Sequence, residues 1–239
     1  MNKIIDYRTL NLNSLDVLLC SGNGKLSEHI KWLQRLKGID SPAANVSHAA
    51  AVIKWPFKAI NDIACGNKGL AGLACYFDND DLYVTETTTL NKWAGKKGLQ
   101  VNGFGDWLDN YNGEVYVRKL DFERTEGFQN KLIGFIIQHL KDPKASKYEN
   151  GIPGLLELFL CEIGIKTSIL NTAELHCTEW DSELLKEFKL LADVISNNRM
   201  PPFEFWPKIC RNTKDAARCR NSLLDQNILV PISEPIRIK

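Results

Sequence analysis

The stretch LNTAELHCTEWDSELLKEF, Leu170 to Phe188, decides how the rest of the chain is read. Cys177, Trp180, Leu184, Phe188 and then Leu191 recur three or four apart, the spacing of one helical face. With Thr172 as N-cap, Cys177 falls in the second turn of that helix. Unpaired N–H groups at a helix start carry partial positive charge and favour a thiolate over a thiol. Cys177 is therefore either a packed core thiol, since free cysteine is among the most buried residue types, or a nucleophile placed where a helix activates it.

A thiolate nucleophile needs a base, usually histidine. His176 is adjacent in sequence, but neighbouring helical residues point about 100° apart and do not face each other. His29 and His139 sit among Lys, Gln and Glu on predicted helices and read as solvated. His48 differs. It lies in NVSHAAAVI, an apolar strand with small neighbours, in phase with Val46, Ala50 and Val52. A polar ring there is either a satisfied core histidine or a functional one. A third residue must hold an imidazole in its working tautomer. Glu86, in LYVTETTTLN, shares a predicted strand face with Leu82 and Val84. Such a carboxylate is either an edge-strand glutamate in water or a partner for His48.

The elements around these residues alternate without βαβ regularity. Ser14–Cys20 reads as a strand, the SGNG of residues 21–24 as a turn, and KLSEHIKWLQRLKG as a helix with Leu26, Ile30, Leu33 and Leu36 at helical spacing and Gly38 as its stop. Strands follow at Val46–Trp55, Asp81–Thr89 and Gly113–Leu120. GFGDWLDNY reads as one helical turn, and helices are expected at Thr125–Lys141 and Pro153–Gly164. Lys58–Tyr76 fits neither pattern, and ILVPISEPIRIK reads as short strands or an extended tail because of Pro231 and Pro235. The order points to α+β, and no low-complexity linker divides residues 1–239, so a single domain is expected.

In order, LDVLLCSGNG, NVSHAAAVI, LYVTETTTLN and LHCTEW resemble the permuted NlpC/P60 group of papain-like cysteine hydrolases, the YiiX/YebB-type proteins. In that group the histidine strand comes first, an acidic residue follows on a later strand, and the cysteine opens a helix. His48, Glu86 and Cys177 match that order, from about Asp16 to Glu187. YNGEVYVRKL is similar to a recurring strand, and KYENG weakly resembles the family's approach to the cysteine helix, which makes Tyr148 a candidate substrate-binding neighbour. One departure is Leu15-Asp16, where the family usually has Gly-Asp. The resemblance implies a circularly permuted papain-like fold, with an antiparallel sheet packed against the cysteine-bearing helix. It also implies an amide or ester hydrolase working through Cys177, His48 and Glu86, on a small peptide, amide or acyl substrate and without a cofactor. Two other readings stay open. A lecithin:retinol-acyltransferase-like acyl transferase shares the permuted layout but favours a second histidine and a membrane anchor. A non-catalytic binding module would keep only the cleft.

Composition narrows the rest. The formal charge is +1, which gives no electrostatic reason for nucleic acid or an acidic membrane as partner. The basic segment KICRNTKDAARCR is interrupted by Asp215 and reads as solvated surface. No apolar run reaches the roughly 18 to 20 residues of a membrane span, and the N-terminal stretch reads as neither signal nor anchor, so a cytoplasmic protein is expected. The 7 cysteines are scattered and include no CxxC, so reduced thiols rather than a disulfide framework are expected. Cys210 and Cys219 lack the second close pair a zinc site shows, and no metal is expected. GNGKLS is too short for a phosphate loop.

Overall fold

The computed structural model describes residues 3–55, 81–91, 96–141, 177–192, 201–210 and 219–239. The α+β class holds: helices flank a six-stranded antiparallel sheet. Its strands are β1 (Val17–Gly22), β2 (His48–Lys54), β3 (Leu82–Asn91), β4 (Lys96–Gly103), β5 (Gly113–Arg118) and β8 (Ile236–Arg237), in the order β4-β3-β2-β1-β5-β8. The helices are α1 (Lys25–Leu36), α2 (Phe104–Asn110), α3 (Glu126–Lys141), α4 (Cys177–Glu187) and α5 (Leu223–Asn227). A separate two-stranded ladder pairs β6 (Lys208–Ile209) with β7 (Arg220–Asn221).

The sheet is buried on both faces, which explains the near-continuous apolar runs of β1 and β2. One face gathers Leu18, Cys20, Ala50, Val52, Val84 and Val117 against Phe104 and Trp107 of α2. The other gathers Val17, Leu19, Ala49, Ala51, Ile53 and Tyr83 against Leu132 and Ile136 of α3 and Trp180 and Leu184 of α4. The register Val17↔Ala51 and Ala51↔Thr85 keeps odd-numbered residues of these three strands on the α3–α4 side.

At the entry to β1, Leu15 has φ +67°, in the left-handed region. Its fully buried side chain and an N–H bond of 2.7 Å to Val52 O offset that strain. Asp16 beside it is buried as well. Its Oδ2 accepts from Asn13 N, and its Oδ1 accepts from Leu120 N and from Arg124 Nη2 at 3.1 Å. Arg118 is another buried charge. It forks onto Asp225 at 2.6 and 3.1 Å and donates to Phe205 O and Ser233 O, tying the C-terminal segment to β5.

Cys210 and Cys219 are joined by a disulfide, contrary to the expectation of reduced thiols. Lys208↔Asn221 and Ile209↔Arg220 are paired, and the next step in that register sets the two cysteines opposite each other. Glu204, buried, accepts from Arg220 and from Leu223 N and holds the same corner. β4 was not foreseen from its Lys, Gly, Gln and Asn content, and α2 is longer than the single turn expected.

Candidate active site

His48 is the first residue of β2, and Glu86 lies near the middle of β3. One step on from the Ala51↔Thr85 pair, Glu86 stands opposite Ala50, so His48 is its diagonal neighbour on the same face. Long side chains reach across a diagonal. His48 Nε2 and Glu86 Oε2 are 2.7 Å apart, and both side chains are largely buried. The sequence-based pairing of these two residues is therefore present in the geometry.

The other carboxylate oxygen is engaged as well. Trp107 Nε1 donates to Glu86 Oε1 at 3.0 Å. Glu86 is 4% exposed and Trp107 is buried, so the carboxylate sits in a dry fork between an indole and an imidazole. Indole N–H is a donor only, which fixes the direction of that bond. Trp107 was missed by sequence reasoning. The signal was a tryptophan in GFGDWLDNY, directly after a strand, yet its partner lies 21 residues away. Phe104 and Tyr111 flank its ring, at centroid distances of 6.2 and 5.1 Å, and hold it in place.

The approach to His48 is rigid. Ser47 Oγ accepts from Gly22 N at 3.1 Å, and Cys20 pairs with His48 in the ladder. Gly22 has a packing reason: a Cβ there would lie 2.5 Å from Ser27 Oγ in α1.

Cys177 is the first described residue of α4, and the N-cap expected at Thr172 lies outside the described residues; the packing of α4 fixes which way this end of the helix faces. Trp180 Nε1 donates to Thr85 Oγ1 at 3.1 Å, pinning the first turns to the middle of β3. At the other end Phe188 meets Phe128 and Glu187 meets Lys131 of α3. Gln129 of α3 is bonded to Ser14, which is bonded to Lys54 at the end of β2. The helix thus runs in the same direction as β2, and its N-terminal end lies toward the end of the strand where His48 stands. α4 packs on the odd-numbered face of the sheet, while His48 and Glu86 belong to the even-numbered one. His48 is the first residue of β2, so past it that strand no longer separates the two faces. Trp180, Leu184 and Leu191 are buried as the helical stripe requires, and Phe188 is partly buried.

His29 is exposed, as its solvated reading requires. His139 is not solvated in the same way: it is partly buried, its ring tilted against Phe135 at 4.1 Å and 5.4 Å from the Trp180 ring. Tyr148 and the segments around it lie outside the described residues, as does the ambiguous stretch after Trp55. Among the described residues no group of three or more His, Cys, Asp or Glu is arranged to hold a metal, and no helix is long and apolar enough to cross a membrane.

No protein-family model matches this chain, and no curated protein matches it.

Proposed function

We propose that the protein is an acyl-cleaving cysteine hydrolase of the permuted papain-like type, with Cys177 as nucleophile, His48 as base and Glu86 as the residue that orients the imidazole. The observation that carries this reading is the buried His48–Glu86 pair at the strand end that the Cys177 end of α4 faces. A buried carboxylate on an apolar sheet is costly unless paired. Here it is paired with the side chain a thiol nucleophile needs.

The steps follow from the roles. Nε2 of His48 is directed at Glu86, so exchange with the sulfur runs through Nδ1. His48 takes the Cys177 proton, and Glu86 stabilises the imidazolium. The thiolate adds to the substrate carbonyl carbon, and backbone N–H groups at the start of α4 bind the oxyanion. The tetrahedral adduct collapses to a thioester while His48 returns the proton to the departing amine or alcohol. A water molecule, losing its proton to His48, then attacks the thioester carbonyl. The acid leaves and the thiol is restored.

The test is intact-mass analysis after treatment with a carbonyl-directed electrophile, followed by a panel of amides, esters and thioesters. One adduct per chain at Cys177, lost in Cys177→Ala and strongly slowed in His48→Ala, is the expected result. Adduct formation that ignores His48→Ala rejects the dyad.

A further inference from the structure

Helix α1 lies on the protein with its polar side. Gln34 is 4% exposed and donates Nε2 to both Ala44 O and Val46 O at 2.9 Å. Lys31 is 6% exposed and pairs with Glu28 at 2.6 Å. The apolar residues lie elsewhere on the helix. Trp32 is 56% and Leu36 60% exposed, one turn apart, and Leu26, Ile30 and Leu33 are only partly buried. At 3.6 residues per turn these five fall within an arc of about 160°. Only Lys25 and His29 interrupt that arc, near the N-terminal end. A helix on a globular body ordinarily turns such a stripe inward.

Charge adds a second, independent observation. Between residues 25 and 37, Lys25, Lys31, Arg35 and Lys37 stand against Glu28 alone, four cations less one anion, or +3 in a chain whose total is +1. The cationic charge is therefore concentrated on the element that carries the exposed tryptophan. We propose that α1 docks this protein onto an anionic lipid surface, with Trp32 and Leu36 entering the headgroup boundary and the exposed Lys25 and Arg35 meeting lipid phosphates and carboxylates, while Lys31 stays paired with Glu28. A tryptophan beside leucine, rimmed by Lys and Arg on a strongly amphipathic helix, is the composition that lies in a bilayer interface. Lys25 reaches outward by snorkelling its ammonium while its stem stays against the apolar arc. A lone helix is a convex ridge, which meets a deformable lipid surface more readily than it clasps a peptide.

This inference does not depend on the hydrolase reading, because binding is measured without turnover. The full chain is pelleted with vesicles of phosphatidylcholine alone and with vesicles in which about a third is phosphatidylserine. The parent protein and Cys177→Ala should co-sediment equally, with the anionic vesicles only, and 0.5 M salt should release them. Trp32→Ser combined with Leu36→Ser changes two exposed residues and should keep the parent's circular dichroism while losing at least about tenfold in binding. Lys25→Glu should also weaken binding. Failure of the parent to pellet, or equal pelleting of the double variant, overturns the proposal. So does a parent that sediments as a dimer and becomes monomeric in the double variant, since a second copy would then cover the face.

Discussion

Trp107 holds Glu86 from the side opposite His48: the indole N–H is 3.0 Å from Oε1, while Oε2 is 2.7 Å from the His48 ring. The carboxylate cannot rotate without losing one of these bonds. Trp107 is thus a positioning residue for the proposed base, acting through Glu86 and not on the substrate.

Trp107→Phe keeps the ring and removes the donor. A buried hydrogen bond to a charged group contributes about 1.5–3 kcal/mol, so unfolding in denaturant should show a loss of that order. A purely structural tryptophan would give the same loss, so the cycle with Glu86→Gln is the informative measurement. Coupling of roughly 1 kcal/mol between the two changes is expected, together with slower Cys177 alkylation in Trp107→Phe that Trp107→His, which retains a ring donor, partly restores. Additive effects would mean that the fork has no role in holding the carboxylate.

Within the proposed site, loss of activity should be graded. Cys177→Ala removes covalent turnover entirely, and His48→Ala is nearly as severe. Glu86→Gln costs less, because an amide oxygen still accepts from the imidazole while the charge is lost. Rates on the best substrate of the panel measure this. A silent Glu86→Gln would assign the orienting role to another residue.

Much of the frame was legible because its signals are local. The β2 and β3 runs and the α3 periodicity are carried by their own side chains, and Gly38 ends α1 with φ +79°. His48 and Glu86 stood out as polar residues on apolar strands. What was not legible depends on distant partners. β4 has weak strand propensity and exists because β3 pairs with it from Tyr83↔Gly103 to Asn91↔Lys96. The outward stripe of α1 follows from two carbonyls at Ala44 and Val46 that claim the Gln34 amide. The Cys210–Cys219 bond follows from the register of a two-residue ladder, which no spacing rule reveals.

Arg118→Met should be among the most destabilising single changes. The guanidinium is fully buried, and four of its bonds reach Asp225, Phe205 and Ser233. Removing one partner of a buried pair leaves the other uncompensated, at about 3–5 kcal/mol. Urea unfolding of Arg118→Met measures it. A change under about 1 kcal/mol would show that the C-terminal segment is held by apolar contacts instead.

Asp16 gives a pH signature with a definite sign. Burial, the largest effect, pushes its carboxyl above the usual 3.8, although bonds from Leu120 and Asn13 and the Arg124 charge pull the other way. Burial also lowers the Arg124 value, so desolvation outweighs attraction for both partners. A raised folded value means that the stabilising contribution is complete below the unfolded value and is lost as pH rises through the folded one. The stability of the parent relative to Asp16→Asn should therefore fall as pH rises from about 3.8 toward neutrality. Denaturation of both proteins across that range reads the difference directly. A difference that grows with pH would mean that Arg124 dominates.

Thiol chemistry separates the proposed nucleophile from the structural sulfurs. Cys20 is fully buried on the sheet and should stay unmodified in the folded protein at any pH. Cys210 and Cys219 are bonded to each other, so they react only after reduction and cannot serve as exposed free thiols for comparison. A cysteine at a helix start beside an imidazolium titrates below the ordinary thiol value of about 8.5. Iodoacetamide at about pH 6, without reductant, should therefore mark Cys177 first, with peptide mass mapping as the readout. His48→Ala should slow that reaction at pH 6 and much less at pH 9, where hydroxide removes the thiol proton without help. Trp107→Phe should give an intermediate rate if it acts through Glu86. Labelling of Cys177 at one rate in all three proteins at pH 6 would make it a packed helix residue, and the His48–Glu86 pair would then be a structural ion pair at the end of β2.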